Sequence, residues 1–546
     1  MIINKIETGI GLSYKEDGKR IIKTIPYSEY PSYFYIHEHQ IKPNKIKIKD
    51  KWGRFDLELS YETDDSYKDL EGDSLVKVSW KPNHSRYAYN VRRYFEKQGN
   101  EDLVNPTYEA DVKHEYRYAI DNIDSIKEYN LTKLYFDMEW MQGGEFDEQI
   151  TCITCRIDGE DFCYTWLPNE GSEADVINDF LDKIVSSDAD MIISWFGWKF
   201  DIPKLIERAV ANGIDIRRIS PYSQITGVSN VKGTIKCNTE IIHRYSPVSQ
   251  PIKGRIVVPL DLAFERQWND SQRGTLPSMA LDYVSETILG NKKLVSTKFP
   301  DKNEFFARGW IEDNETYIEY AIKDTQLISD LDNKMNITDS ILSLQKLLVA
   351  PFDACFYASN MGTIYFSRTA HWKAPTGRKT GRKDYDGAMV YDPLSEATNG
   401  LHWGVAAFDF AGLYPSMMVA RNISWETKSI EPTSFAVNLS TPKDFSENSN
   451  EDMLYYNTDK LGMLPKSVLN LKTLRDSYKQ NRKNSTSEEE YNKWDSNQMA
   501  VKRLMASFYG VLAYQGFGWA DVDLAASITA SAREAIRSAA FKAREL

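Results

Sequence analysis

From residue 131 to about residue 340, short apolar runs with strand-like alternation (YFDMEW, ITCITCRI, ADMIISWF) take turns with helical stretches such as IPKLIERAVANGI and YIEYAIKDTQLISDLDNKM. Strand and helix in alternation predict an α/β domain, a sheet covered by helices. The flanking segments read differently. Residues 1 to 130 hold short alternating runs such as KIKIKDKWGRFDLELSYE joined by polar turns, which predict a mixed, mostly β domain. Past residue 341 comes a basic loop, HWKAPTGRKTGRKDYDG, and then the strand-like run GVAAFDF. A polar stretch, SFAVNLSTPKDFSENSNEDML, follows and reads as a surface insertion. Two long helices, PKSVLNLKTLRDSYKQNRKN and EEEYNKWDSNQMAVKRLMASFYGVLAY, are then expected, joined at the polar tip NSTS. At roughly 100 to 200 residues per domain, a chain of 546 residues holds about three or four domains.

Composition narrows the function classes. With 67 Lys and Arg against 79 Asp and Glu the net charge is -12, so binding to nucleic acid has to come from local basic patches. Five cysteines are too few and too odd in number for a disulfide framework, which agrees with a reducing compartment. The Cys152-x-x-Cys155 spacing invites zinc, but on a strand those positions face opposite ways and no second pair completes a site. No apolar run is long enough to span a membrane, and MIINKIETGI lacks the layout of a signal peptide, so a cytoplasmic protein is expected.

Several acidic residues stand where chemistry is performed. Asp137 and Glu139 are one residue apart on an apolar strand, so both carboxylates share one face, a costly arrangement unless they are paired or bind a cation. A solvent-facing strand end is the alternative. Asp201 lies where a strand gives way to a helix with Pro203 in its first turn, and simple N-capping would also explain it. Tyr320 and Asp324 are at i and i+4 of a helix, on one face. Asp409 ends the run GVAAFDF before a Gly-containing turn and a helix starting near Pro415, where capping the turn is again the plain alternative. Arg475, Lys479 and Arg482 occupy one face of the first long helix, and Lys502, Ala506 and Tyr509 have the same spacing on the second. A salt-bridged, solvated hairpin is the plain reading of those charges.

In order and chemistry, Asp137-x-Glu139, Phe200-Asp201 and Tyr320-x3-Asp324 resemble the three motifs of the DEDDy 3'-5' exonucleases, as found in the proofreading domain of family B DNA polymerases. The resemblance implies an RNase H-like domain over 131–340. There Asp137, Glu139, Asp201 and Asp324 would hold two Mg2+ or Mn2+ ions and Tyr320 would orient the attacking water. Phe196 stands where the family usually has Asn, which removes an amide that would contact the strand being trimmed. The stretch SMALDYVSETILGNKKL is similar to the same domain.

The string from Asp409 to Ser416 is similar to palm motif A (DxxSLYPS), with Gly412 for the usual Ser. This implies that Asp409 binds the two catalytic metals, the backbone near Leu413 holds the triphosphate, and Tyr414 lies under the nucleotide sugar. Tyr385-x-Gly387-Ala388 resembles the Y-x-G-[GA] motif that contacts the template. Lys373, Arg378, Lys379, Arg382 and Lys383 around it suit phosphates. The segment 502–510 is similar to motif B (KxxxNSxYG), with Ala506 for Asn. Arg475, Lys479, Lys502 and Tyr509 would then face the incoming dNTP from the fingers.

The implied organisation is an N-terminal domain (1–130) of the T-even phage or archaeal type and the exonuclease (131–340). A linker with partial α+β palm (341–465), helical-hairpin fingers (466–510) and a further piece of palm (511–546) follow. No YGDTDS-like motif C occurs in the 546 residues, and no thumb. The expectation is therefore the large part of a split polymerase of phage or viral origin. It would bind primer-template DNA and dNTPs, with a second polypeptide supplying motif C and thumb, and with a sliding clamp as a further partner. A stand-alone exonuclease and a non-enzymatic DNA-binding remnant are the alternatives.

Overall fold

The computed structural model describes residues 1–546 apart from 51–52, 98–104, 128–129, 247–248, 270–273, 378–383, 390–399, 407, 449 and 546. The chain forms two compact units, each assembled from two stretches of sequence: Met1–Tyr30 with His114–Phe356, and Pro31–Lys113 with Tyr357–Leu546. The first 130 residues, expected to form one domain, are therefore shared between both units, and residues 341–356 fold with the first rather than with the palm.

At the centre of the first unit is a five-stranded sheet, in the order Glu160–Thr165, Ile150–Ile157, Lys133–Trp140, Met191–Ser194, Ile256–Pro259. The first three strands are antiparallel, and Met191–Ser194 runs parallel to both of its neighbours. Counted along the chain this is the order 3-2-1-4-5. Alternation divides each strand between two faces. Leu134, Phe136 and Met138 pack with Cys155 against the helices Glu173–Ser186 and Asp201–Ala211. Cys152 faces the other way, toward Trp310, Tyr317 and Tyr320, so the two cysteines lie on opposite faces of the strand. The helix Asn314–Met335 is fixed over that second face, where Tyr135 Oη donates to Asp332 Oδ2 at 2.7 Å and Thr154 Oγ1 to the Ala321 carbonyl at 3.0 Å. The strands Ile2–Ile6, Gly9–Glu16 and Lys19–Pro26 form a separate sheet of this unit. From it Arg20 reaches Asp188 at 2.6 Å and Asp190 at 2.8 Å.

In the second unit, a four-stranded antiparallel sheet (Tyr33–His37, Lys45–Asp50, Gly53–Lys68, Ser74–Lys81) packs one face on the helix Ala88–Glu96. Residues 373–376 are stitched to it: Lys373 N–H donates to the Lys68 carbonyl at 2.8 Å and Thr376 N–H to the Thr107 carbonyl at 2.7 Å. The two long helices are Met463–Lys483 and Glu488–Leu512, joined at 484–487 as expected, and Val522–Glu545 follows them. Phe366, Phe508, Trp425 and Trp519 form an aromatic core, with Phe366 4.7 Å from Phe508 and 5.2 Å from Trp425.

Two expectations need correction. The run GVAAFDF forms no strand among its described residues, and Trp403, Val405 and Phe408 are exposed. Without a neighbouring ladder, an isolated strand leaves its N–H and C=O groups to water and has nothing to hold it extended. The polar stretch after residue 434 is not simply surface loop. Phe435–Asn438 and Met453–Tyr456 pair in a three-stranded sheet with Lys428–Ser429. No helix among the described residues is long and apolar enough to cross a membrane.

Candidate functional site

The strand Lys133–Trp140 points Asp137 and Glu139 toward the helix Asn314–Met335, and one turn of that helix brings Tyr320 and Asp324 over them. One carboxylate oxygen from each of Asp137, Glu139 and Asp324 lies within 4.8 Å of the others. Asp324 is fully buried and its Oδ1 has no hydrogen-bond partner. Asp201 is the first residue of its helix and is buried, but it does not cap. The cap position is Phe200, and the Asp201 carboxylate is held by Ser194 instead. The turn between them is tight, since a Cβ at Gly197 would lie 2.3 Å from Ser194 Oγ. Asp201 is not part of the closest group of three, yet its charge reaches Asp137.

The electrostatics follow from crowding in a desolvated place. Burial, and after it the charges of Asp324, Asp201 and Glu139, lifts Asp137 well above the usual carboxylate range. Glu139 is pushed up to about 8 by burial and Asp324, and Asp201 to about 7 by burial, with the Ser194 hydrogen bond opposing. Burial also raises Asp324, against the pull of Lys293. Two carboxylates at such a separation repel by roughly 3 kcal/mol at an effective dielectric of about 20. Three mutual pairs ask for compensating positive charge.

Lys293 supplies part of it and was missed from the sequence. Its Nζ donates to Tyr320 Oη at 3.1 Å and to Asp324 Oδ2. Burial works against its charge, but Asp324, Tyr320, Asp137 and Glu139 outweigh that and raise its pKa. It stands in a stretch without regular structure after the helix Leu281–Leu289, so no periodicity pointed to it. The orphaned Asp324 oxygen and the all-oxygen donor set fit a hard divalent cation such as Mg2+ or Mn2+.

Phe196 lies near this pocket, with its ring 6.0 Å from that of Phe200, which is half exposed beside Asp201. It is in the position where the family resemblance leads one to expect an amide.

In the second unit Asp409 is exposed in irregular chain and joins no group of three or more metal-ligating side chains among the described residues. Gly412 caps the helix Leu413–Ala420 with φ +66°, a left-handed conformation that suits glycine. The Tyr414 ring lies tilted against that of Tyr509 at 4.3 Å, and Tyr385 Oη is 3.1 Å from Tyr509 Oη, so three of the expected residues meet. The basic face of the first long helix is largely engaged by the second. Arg475 Nε donates to Gln498 at 3.2 Å, and Arg482 pairs with Asp495. Lys479 pairs at 3.7 Å with Asp476 of its own helix. Lys502 is half-buried and Ala506 exposed on the face that carries Tyr509. Gly387 is held through its carbonyl by Arg533. Arg378, Lys379, Arg382 and Lys383 lie outside the described residues.

The model of DNA polymerase family B matches residues 357–543. The chain is 27% identical over 463 residues to a DNA polymerase of Pyrococcus glycovorans, covering 79% of this chain and 53% of that protein. It is 26% identical to a DNA polymerase of Paramecium bursaria Chlorella virus NY2A, over 68% of this chain and 42% of that one. The solved family B DNA polymerase of Pyrobaculum calidifontis superposes with a TM-score of 0.72 at 18% identity, over 100% of this chain and 71% of that structure. The chain thus spans about half the length of the curated relatives it matches.

Proposed function

We propose that the chain is part of a family B DNA polymerase, that its first unit removes nucleotides from DNA 3' ends, and that its second binds primer-template and dNTP for template-directed synthesis, a reading supported by the family match over residues 357–543, the polymerase relatives and the shared fold. The observation that carries the first half is the meeting of Asp137, Glu139 and Asp324 around an oxygen atom that has no partner. Those three residues, with Asp201, would hold Mg2+ or Mn2+, which when bound supplies charge stabilisation and an acidified water for phosphodiester hydrolysis. The chain's own groups do the rest. Lys293 donates to Tyr320 Oη, and the phenol also hydrogen-bonds the Asp324 carboxylate, which would place it to orient a water beside that residue. Buried Asp201, held by Ser194, adds negative charge that reaches Asp137.

Synthesis is proposed for the second unit together with the further palm carboxylate that the family uses, supplied by sequence other than these 546 residues; a second polypeptide is one way to supply it. The fold match and the Tyr385, Tyr414 and Tyr509 cluster support this half. Trimming as the sole chemistry of these residues is a second reading, favoured by Asp409 standing apart from other ligands.

A 5'-labelled primer-template incubated with the purified chain and Mg2+, with and without dNTPs, separates them. Shortening without extension supports the nuclease and directs attention to the missing carboxylate. Extension by the chain alone overturns the need for it. An unchanged primer rejects the nuclease reading. Asp409→Ala is expected to leave shortening intact and to abolish extension wherever extension has been reconstituted.

A further inference from the structure

Arg533, on the helix Val522–Glu545, is 1% exposed, yet its guanidinium meets no carboxylate within ion-pair distance among the described residues. It donates instead to four backbone carbonyls: Asp386 at 2.8 Å, Gly387 at 2.6 Å, Leu439 at 2.9 Å and Thr441 at 2.7 Å. One turn earlier, Thr529 Oγ1 donates to the same Asp386 carbonyl at 2.7 Å. One turn later, Arg537 donates to the carbonyls of Asp444 and of Ser446, the latter at 2.6 Å. The same two loops are tied on the outside by Lys443 and Asp386 at 2.6 Å.

A buried guanidinium is tolerated only where several acceptors surround it, so moving any one of these carbonyls strands the charge. Two of the four belong to Asp386 and Gly387, in the loop whose Tyr385 reaches Tyr509, whose ring in turn contacts that of Tyr414. The other two belong to the polar segment that the sequence marked as an insertion.

We propose that Arg533 is a positioning residue: with Thr529 and the Lys443–Asp386 pair, it uses the 439–446 segment as a strut that holds the 385–387 loop in the geometry needed to grip primer-template DNA. This rests on the reading of the second unit given above. The strut acts through backbone carbonyls and needs no contact of its own with DNA.

The test uses the whole chain, a fluorescein-labelled primer-template in EDTA read by anisotropy, and 3-fluorotyrosine placed at position 385 alone. Arg533→Met is expected to weaken binding about tenfold and to shift the 385 fluorine line, with Arg533→Lys recovering part of both. Calorimetry of each variant, with the transition of the second unit retained, reports that this unit has folded. Lys443→Asp removes only the outer tie, and is expected to weaken binding about two- to fivefold, with restoration on adding Asp386→Lys. Wild-type affinity with an unmoved fluorine line in Arg533→Met, or no restoration in the charge swap, overturns the strut. Failure of the unaltered chain to bind primer-template rejects the reading of the second unit instead, and the fluorine line then still decides whether Arg533 positions Tyr385.

Discussion

At the scale of single residues, the first unit is governed by how much negative charge one buried spot can hold. Asp137, Glu139 and Asp324 crowd within 4.8 Å, and Lys293 bonds to Asp324 and Tyr320. Asp324→Ala and Asp137→Ala are each expected to reduce trimming about a thousandfold or more, with folding checked by circular dichroism. Lys293→Met separates neutralisation by protein from neutralisation by cation. Its melting temperature in EDTA is expected to fall below that of the unaltered chain, and added Mg2+ to recover more of it than in the unaltered chain. Equal Mg2+ stabilisation in both proteins, by differential scanning fluorimetry, would show that Lys293 does not share the cation's role. Asp137 and Glu139 were legible in the sequence because a period of two decides which side chains share a face. Lys293 was not, since its place is set by a loop folding back onto a helix.

Elements explain why some departures from the family pattern are tolerated. Gly412 replaces a serine, and its φ of +66° shows why: the turn into Leu413–Ala420 is left-handed here. Space is not the obstacle, because an added Cβ meets only Pro415 Cγ at 4.0 Å. Gly412→Ser is therefore expected to cost about 1 kcal/mol through the backbone alone, and Gly412→Asn less, in urea denaturation. A loss of several kcal/mol would mean that the turn has contacts beyond its backbone. The helical hairpin and its turn were readable, since a polar tip between two amphipathic stretches marks where one helix gives way to the other. The face that its charges take was not, because Arg475 and Arg482 turn toward Gln498 and Asp495 of the partner helix.

For the whole molecule, the division of the first 130 residues matters most. Residues 1–30 return to the first unit through partly buried ion pairs, Arg20 with Asp188 and Asp190, while 31–113 join the second. A chain with two cores is expected to depart from two-state unfolding. Calorimetry should resolve more than one transition. Phe136→Ala, which empties a fully buried site, is expected to destabilise the unit containing the sheet by about 3–5 kcal/mol and to move one transition only. A single transition that shifts as a whole would show that the two cores melt together.

What could be known before the fold was the content of each element. The sequence alone determined the alternating sheet and helices, the shared face of Asp137 and Glu139, the spacing of Tyr320 and Asp324, and the motif strings that carry the family. All of these follow from local periodicity and short-range sterics. Tertiary structure alone decided that Asp137, Glu139 and Asp324 meet, that Lys293 answers them, that GVAAFDF stays irregular, and that Arg533 ties two distant loops. Each of those depends on contacts between residues far apart in the chain. Their free energy comes from burial and shared charge, which no local pattern of residues records.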